Sequence, residues 1–472
     1  MGVIPFPASG LRTVAFDAAL VQRLSRQGPR YTSYPTADRF HAGFGYRDYL
    51  QAVAGLRLRA SVRPLSVYVH IPFCDTVCYY CACNKVVTRN RDKASTYLSY
   101  LKREIAMQGR LLAGVNSLSQ LHLGGGTPTY LSDAQMDDLM ATLRANFQFA
   151  PDSEGEYGIE VDPRSVTPAR IQRLREQGFN RISLGVQDFD DAVQLAVNRV
   201  QPLQDTLAII NAAREAGFRS VSIDLIYGLP RQTLATMEAT LAKVIDASPD
   251  RIAIYNYAHM PALFKPQRRI DEAELPAPDT KLAMLALCIE RLEGAGYVYI
   301  GMDHFAKPGD DLAVAQRQGR LHRNFQGYST HADADLVSVG VSAISAVGAT
   351  YSQNAKTLEA YYELLDKNEL PIVRGIALDM DDLLRRSVIG LLMCQFELSM
   401  TSIEQAFPIV FATYFAPELG QLDAFAREGL LVVGPDWISI TPRGRLLIRN
   451  ICMVFDRHLA AASGSTRFSQ TI

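Results

Sequence analysis

The chain has 472 residues, 48% hydrophobic and 21% charged, with a formal net charge of -1. That length suggests two or three domains, and that composition an ordinary soluble globular enzyme. The balanced charge excludes nucleic acid or an anionic membrane as a bulk partner, so an acidic substrate would need a local basic pocket.

The first twenty residues lack a continuous apolar run and a clean cleavage site. No stretch approaches the roughly 18 apolar residues of a membrane span, so a cytoplasmic location is expected. Short β-rich runs then alternate with amphipathic helical runs. LSVYVHI at 65–71 reads as a strand, and 93–112 has helical spacing. SQLHLGGG leads a strand into glycines, and the next helix opens at 132 with Ser132 as N-cap. Strands are predicted at YGIEV, RISLGVQ, SVSIDLIYGLP and RIAIYNYA, and helices at TPARIQRLREQG, DTLAIINAAREAG and TLATMEATLAKVIDA. Gly178 and Gly217 stand as C-caps just before strands.

Six strands alternating with helices between about 65 and 258 call for a parallel sheet with helices outside. Six units are too few for a full eight-stranded barrel, so an α/β fold with a partial (β/α)6 barrel, open on one side, is expected. Sites of such sheets gather at the C-terminal strand ends. After about 370 the pattern turns helical, with a hairpin around Gly434, Pro435 and Asp436, as in a winged-helix domain. Without a basic stripe, a lid or packing role is favoured over DNA binding. The expected division is an N-terminal arm at 1–50, a catalytic domain at 51–365 and a helical C-terminal domain with a small β-wing at 366–472.

Four of the seven cysteines lie within ten residues, in HIPFCDTVCYYCACN. Cys288 and Cys394 sit in apolar helical patterns and read as small core residues. Cys74, Cys78 and Cys81, spaced by three and two residues, can converge from one loop. Their softness suits zinc or iron–sulfur. Structural zinc would close with a fourth ligand, Cys83 or His70. A cluster with three protein ligands instead leaves one iron free. A second motif, LHLGGGTPTYL at 121–131, puts glycines at a strand end, where backbone can approach a ligand closely. A third, IEVDPR, places Glu160 at a strand end, where it could bind a ribose hydroxyl or an amine.

The CxxxCxxC loop after the first strand resembles the radical S-adenosylmethionine (SAM) superfamily. That resemblance implies a 4Fe–4S cluster on Cys74, Cys78 and Cys81, whose free iron chelates the methionyl group of SAM. One-electron reduction then releases a 5′-deoxyadenosyl radical. RYTSYPTA at 30–37, NRISLGVQDF at 180–189, VNRVQ at 197–201, DLIYGLP at 224–230, YNYAHMP at 255–261, GMDHFAKP at 301–308, HRNFQGY at 322–328 and RGRLLIRNICM at 443–453 extend the match. Together they are similar to the oxygen-independent coproporphyrinogen III dehydrogenase family. The resemblance implies decarboxylation of two propionates of coproporphyrinogen III to vinyls, giving protoporphyrinogen IX.

It further implies two SAM molecules. Tyr68, Gly125, Glu160 and Ile344 match positions at the first; Tyr80, Gly126, Thr127, Gln187, Arg199, Asp224 and Ala258 match those at the second. Tyr80 and Ala82 depart from the Phe and Gly common in the family. Implied partners are the porphyrinogen, a flavodoxin- or ferredoxin-like electron donor and an electron acceptor, with a monomer expected. Four substrate carboxylates ask for Arg or Lys; Arg30, Arg268, Arg269 and Arg323 lie in or near the motifs, and His259 and His304 lie at strand ends. A haem chaperone of the same branch is the alternative. Such proteins typically lack a cysteine matching Cys83 and the HRNFQGY motif, and both features here favour the dehydrogenase.

Overall fold

The computed structural model describes residues 14–57, 63–115, 117–332, 334–459, 468, 470 and 471. Six strands run parallel: β1 Leu65–Ile71, β2 Ser117–Gly125, β3 Glu156–Val161, β4 Arg181–Gln187, β5 Ser220–Tyr227 and β6 Arg251–Asn256. They coincide with the six runs expected from the sequence. Apolar and polar residues alternate along them, so that one face is apolar; in β1, Leu65, Val67, Val69 and Ile71 share that face and are all buried.

The sheet continues beyond these six at both edges. β7 Val298–Gly301 and β8 His304–Ala306 add antiparallel next to β6. On the other side β9 Asp335–Val339 pairs parallel with β1. β10 Ile344–Val347, β11 Thr350–Asn354 and β12 Ile372–Ala377 follow antiparallel. The path runs β7-β8-β6-β5-β4-β3-β2-β1-β9-β10-β11-β12 and is open at its ends. β12 lies after the boundary expected near 365, yet by pairing it is part of this sheet.

Local chemistry explains the connections. Ser132 forms a capping box with Gln135: its Oγ accepts from Gln135 N at 3.2 Å, and Ser132 N donates to Gln135 Oε1 at 3.0 Å. Gly178 and Gly217, at φ +106° and +80°, end their helices in the left-handed region that glycine adopts without strain. Cys288, Cys394 and Cys452 are buried in the core.

The C-terminal part packs helices Met380–Gln395, Met400–Ala406 and Ala416–Arg427 with a three-stranded antiparallel wing, Glu397–Ser399, Leu431–Val433 and Trp437–Ile440. Helix 380–395 touches the barrel through its end: Gln316 Nε2 donates to Cys394 O at 2.8 Å, and Gln395 Nε2 to Leu321 O at 3.0 Å. Among the described residues no helix is long and apolar enough to cross a membrane.

One buried acid ties the helix that follows β1 to the sheet. Glu104, on helix Asp92–Leu111, is 0% exposed. Its carboxylate accepts from Gly340 N (2.7 Å), Tyr361 Oη (2.5 Å) and Asn354 Nδ2 (2.7 Å). Burial pushes its pKa up to about 7 against these donors. The folded state then holds a proton that the unfolded chain releases, so stability falls as pH rises through the window from the ordinary carboxylate value to about 7. That loss amounts to about 3 kcal/mol by pH 8. Glu104→Gln, which cannot ionise, removes this contribution. Chemical denaturation at pH 5 and pH 8 should show a smaller fall for the variant; an identical fall in both proteins would refute the assignment.

Candidate functional site

The site grows from the C-terminal end of β1. After Ile71 the chain turns through Pro72 and Phe73 into the loop of Cys74, Cys78 and Cys81. Phe73 is 0% exposed, stacked on Tyr130 at 5.3 Å between ring centroids and edge-on to Tyr97 at 5.5 Å. The end of β2 lies against this turn. Gly126 N donates to Ile71 O at 2.8 Å and Thr127 N to Phe73 O at 2.8 Å. A Cβ on Gly126 would fall 2.7 Å from Phe73 O. The glycine is therefore required for the two backbones to meet.

Each loop cysteine has its own surroundings. Cys74 receives a hydrogen bond from Thr127 Oγ1 at 3.6 Å, and burial pushes its thiol up to about 11. Cys78 is buried and accepts from Arg199 Nη1 at 3.4 Å and Arg164 Nη2 at 3.5 Å. Tyr80 also hydrogen-bonds Cys78, and burial holds its phenol protonated. Asp162 holds both guanidinium groups, Arg164 at 2.6 Å and Arg199 at 3.2 Å. Cys81 is pulled down to about 5, first by a hydrogen bond from Cys83, with Lys85 adding its charge. Lys85 Nζ donates to Cys81 O at 3.0 Å.

These surroundings fit an iron–sulfur cluster. Three soft sulfurs share one loop, cations and hydroxyls face them, and glycine backbone leaves room beside them. Among the described residues no three His, Cys, Asp or Glu side chains are gathered so as to hold a single metal ion. Three thiolates around a cluster stand further apart than that, because each binds a different iron.

Glu160 faces the glycines. Its Oε2 accepts from Gly125 N at 3.1 Å and its Oε1 lies 3.3 Å from His122 Nε2. Burial opposes its ionisation, but the His122 hydrogen bond and charge hold it below the usual range. Gly125 has φ +115°, and a Cβ there would strike the His70 imidazole at 2.6 Å. His70 Nδ1 contacts Tyr68 Oη at 3.1 Å, its Nε2 contacts Asn84 O at 3.0 Å, and its carbonyl accepts from Tyr97 Oη at 2.7 Å. Tyr68 pairs in register with Ser338, whose Oγ donates to Ile344 O at 2.6 Å. Asp224 accepts from Ser183 Oγ at 3.4 Å; burial and then the Glu160 charge push its carboxyl up to about 7.

Arg199 also donates to Gly185 O. A Cβ on Gly185 would meet Gln187 Nε2 at 2.9 Å and Arg199 Nη2 at 3.1 Å, so these two side chains are neighbours. Gln187 adopts φ +71° at the strand end. Gln267 was not singled out in the sequence. Its Nε2 donates to Tyr80 O at 3.0 Å and Ala258 O at 3.3 Å, and its Oε1 accepts from Met260 N at 2.6 Å. It clamps the cysteine loop to the segment after β6. Of the fourteen residues expected at the cluster and the two SAM positions, Cys74, Cys78, Tyr80, Cys81, Gly125, Gly126, Thr127, Glu160, Gln187, Arg199 and Ala258 lie at or just beyond C-terminal strand ends, Tyr68 and Asp224 lie within β1 and β5, and Ile344 opens β10.

The candidate substrate residues divide. Arg268 and Arg269 are exposed, the first donating to Pro261 O at 3.0 Å and the second lying over Tyr79 at 5.3 Å. His259 is held between Tyr257 Oη at 2.7 Å and Glu272 Oε1 at 3.1 Å. Arg323 is buried over the Tyr328 ring, and Arg30 pairs with Asp303.

Comparison with known proteins agrees with this geometry. The Radical SAM superfamily matches residues 68–244, and the HemN C-terminal domain matches 378–447. Oxygen-independent coproporphyrinogen III oxidases are similar along the whole chain. The Pseudomonas aeruginosa protein is 50% identical and that of Escherichia coli K12 51% identical, each over 98% of this chain and 100% of the relative. The Synechocystis protein is 44% identical over 98% of this chain and 99% of its own. Among solved structures, coproporphyrinogen III oxidase (HemN) from Escherichia coli, described as a radical SAM enzyme, superposes with a TM-score of 0.90 at 50% identity, covering 94% of this chain and all of that one. The cysteine loop, the glycine turn and this full-length similarity together place the chain in the oxygen-independent coproporphyrinogen III oxidase family of radical SAM proteins.

Proposed function

We propose that the chain converts two propionate side chains of coproporphyrinogen III into vinyl groups without oxygen, giving protoporphyrinogen IX. The carrying observation is the loop of Cys74, Cys78 and Cys81, set against the Gly125–Glu160 contact at the open end of the sheet. On this reading the three cysteines hold a 4Fe–4S cluster, and Tyr68, Gly125, Glu160 and Ile344 hold one SAM. Tyr80, Gly126, Thr127, Gln187, Arg199, Asp224 and Ala258 hold a second. When bound, the cluster and SAM supply one-electron cleavage of a sulfonium and so a carbon radical able to take a hydrogen atom from the substrate.

The residues have separate tasks. Arg199 and Arg164 face Cys78 and offset the negative charge of a thiolate-held cluster. Glu160, kept ionised by His122, accepts hydrogen bonds from an amine or a ribose hydroxyl. The substrate loses a β-hydrogen atom, carbon dioxide and one electron, so the protein must hold the propionate beside the cofactor and exclude water. A flavodoxin- or ferredoxin-like donor, a separate electron acceptor and a cytoplasmic setting complete the reading. A monomer is part of the same reading.

Anaerobic incubation with coproporphyrinogen III, SAM and a reductant tests this. Two vinyl groups and two carbon dioxides should form per macrocycle. Stoichiometric haem binding with no vinyl product would overturn it in favour of a haem chaperone.

A further inference from the structure

Two arginines stand together at the mouth of the sheet with fewer acids than their charge requires. Arg30 lines a cavity of about 750 Å³, together with Tyr227, Asn256, Ala258 and Lys281. That volume lies within the usual range for ligand pockets. Arg323 is linked to Arg30 through their neighbours: Arg30 pairs with Asp303, the adjacent His304 lies edge-on to Tyr328, and Arg323 lies over that ring. Among the described residues no carboxylate pairs with Arg323, although only 8% of it is exposed and its Nε and Nη1 have no hydrogen-bond partner. The buried Nδ1 of His304, a ring nitrogen able to carry a proton, is likewise unpartnered. A buried cation without a counter-anion is costly, and a site that keeps one is built to receive an anion.

The two arginines are held in place from opposite sides. Arg449 donates to Pro29 O at 2.7 Å and also to Gly28 O, fixing the backbone that carries Arg30. Arg323 sits on the hairpin of His322–Asn324 and Gly327–Ser329. Its guanidinium lies 4.8 Å from the Tyr328 ring centroid, and Tyr328 Oη donates to Met393 O at 3.2 Å on the C-terminal helix. Tyr328 is edge-on to His304 at 5.3 Å, and His304 edge-on to Tyr255 at 6.0 Å. Tyr255 lies two residues along β6 from Ala253, the register partner of Asp224, and Ala258 lines the same cavity as Arg30, so the cationic pair adjoins the proposed cofactor residues.

We infer that Arg30 and Arg323, with His304 beside them, bind a carboxylate of the tetrapyrrole, and that it is a propionate the reaction keeps. The inference rests on the coproporphyrinogen reading above. Its second half follows from charge. Decarboxylation turns an anionic carboxylate into neutral carbon dioxide. A guanidinium clamped on the reacting carboxylate would stabilise the starting state and oppose the step. On a surviving propionate the same clamp anchors substrate and product alike, and positions the ring without taxing the chemistry.

The test uses the cluster-loaded enzyme with SAM, and coproporphyrin III and protoporphyrin IX as probes. The first bears four carboxylates and the second only the two that survive. Arg323→Gln should weaken the binding of both porphyrins about 10- to 100-fold, the loss expected for a charged hydrogen-bonded contact. Arg323→Lys, which keeps the charge, should recover part of it. In turnover the loss should fall mainly on KM for the porphyrinogen, with KM for SAM and the iron and sulfide content unchanged. Unchanged binding of both probes in Arg323→Gln and in Arg30→Gln overturns the site. Weakened coproporphyrin binding with protoporphyrin binding intact overturns the assignment to a kept propionate. In either case normal turnover by the unmodified enzyme leaves the coproporphyrinogen reading standing.

Discussion

Cys78→Ser should lose the iron–sulfur cluster and fall to the background rate of turnover while keeping its fold. Serine nearly matches cysteine in size, and its hydroxyl can still accept from Arg199 and Arg164, which now reach Cys78 Sγ at 3.4 and 3.5 Å. What it cannot do is bind iron as a soft, easily ionised thiolate. The variant therefore separates packing from ligation. Iron and sulfide analysis after anaerobic purification, with circular dichroism on the same sample, reads both. Full iron and sulfide content in Cys78→Ser would sink the ligand assignment. Cys83→Ser is the informative contrast. Cys83 is exposed and hydrogen-bonds Cys81. Three thiolates remain without it, so this variant should retain its cluster.

Much of this site was legible in the sequence because its determinants are local. The period of the strands, the Ser132 cap, the glycines ending helices, and the three- and two-residue spacing of the cysteines all act within a few residues. The added strands were less legible. β9 pairs with β1 from 270 residues further along the chain, at Leu65↔Asp335, and DLVSV is too short to announce which edge it joins. Glu104 sits in a helix where an acid reads as solvated. Only the arrival of Gly340, Asn354 and Tyr361 makes it a buried hub. Gln267 lies in a polar stretch with no periodicity, so its clamp on Tyr80 and Ala258 appears only once the loops are folded together. Arg323 and Arg30 were each one arginine among several. Their shared surplus of charge is a property of position, not of spacing.

Gly126→Ala should cost both stability and activity, although it adds a single methyl group. The new Cβ would lie 2.7 Å from Phe73 O and 2.8 Å from Pro72 C and O, all of them backbone atoms. No flexible side chain can turn aside. Phe73 cannot retreat either, since its ring is enclosed by Tyr97 and Tyr130. Overpacking of this kind costs about 1–3 kcal/mol, which should lower the melting temperature by a few degrees. The catalytic loss should be larger than that figure suggests. Pro72 and Phe73 lead directly into Cys74, and Thr127 beside Gly126 donates to its sulfur. A shift near 1 Å in a reacting arrangement can cost about a hundredfold in rate. Gly55→Ala provides the reference. Gly55 lies in the helix Tyr46–Arg57 with open space around its Cα. Alanine there should stabilise the protein by about 1 kcal/mol and leave turnover unchanged. If Gly126→Ala melted and turned over like the unmodified enzyme, close backbone contact between the glycine turn and the cysteine loop would not be what sets the geometry of the site.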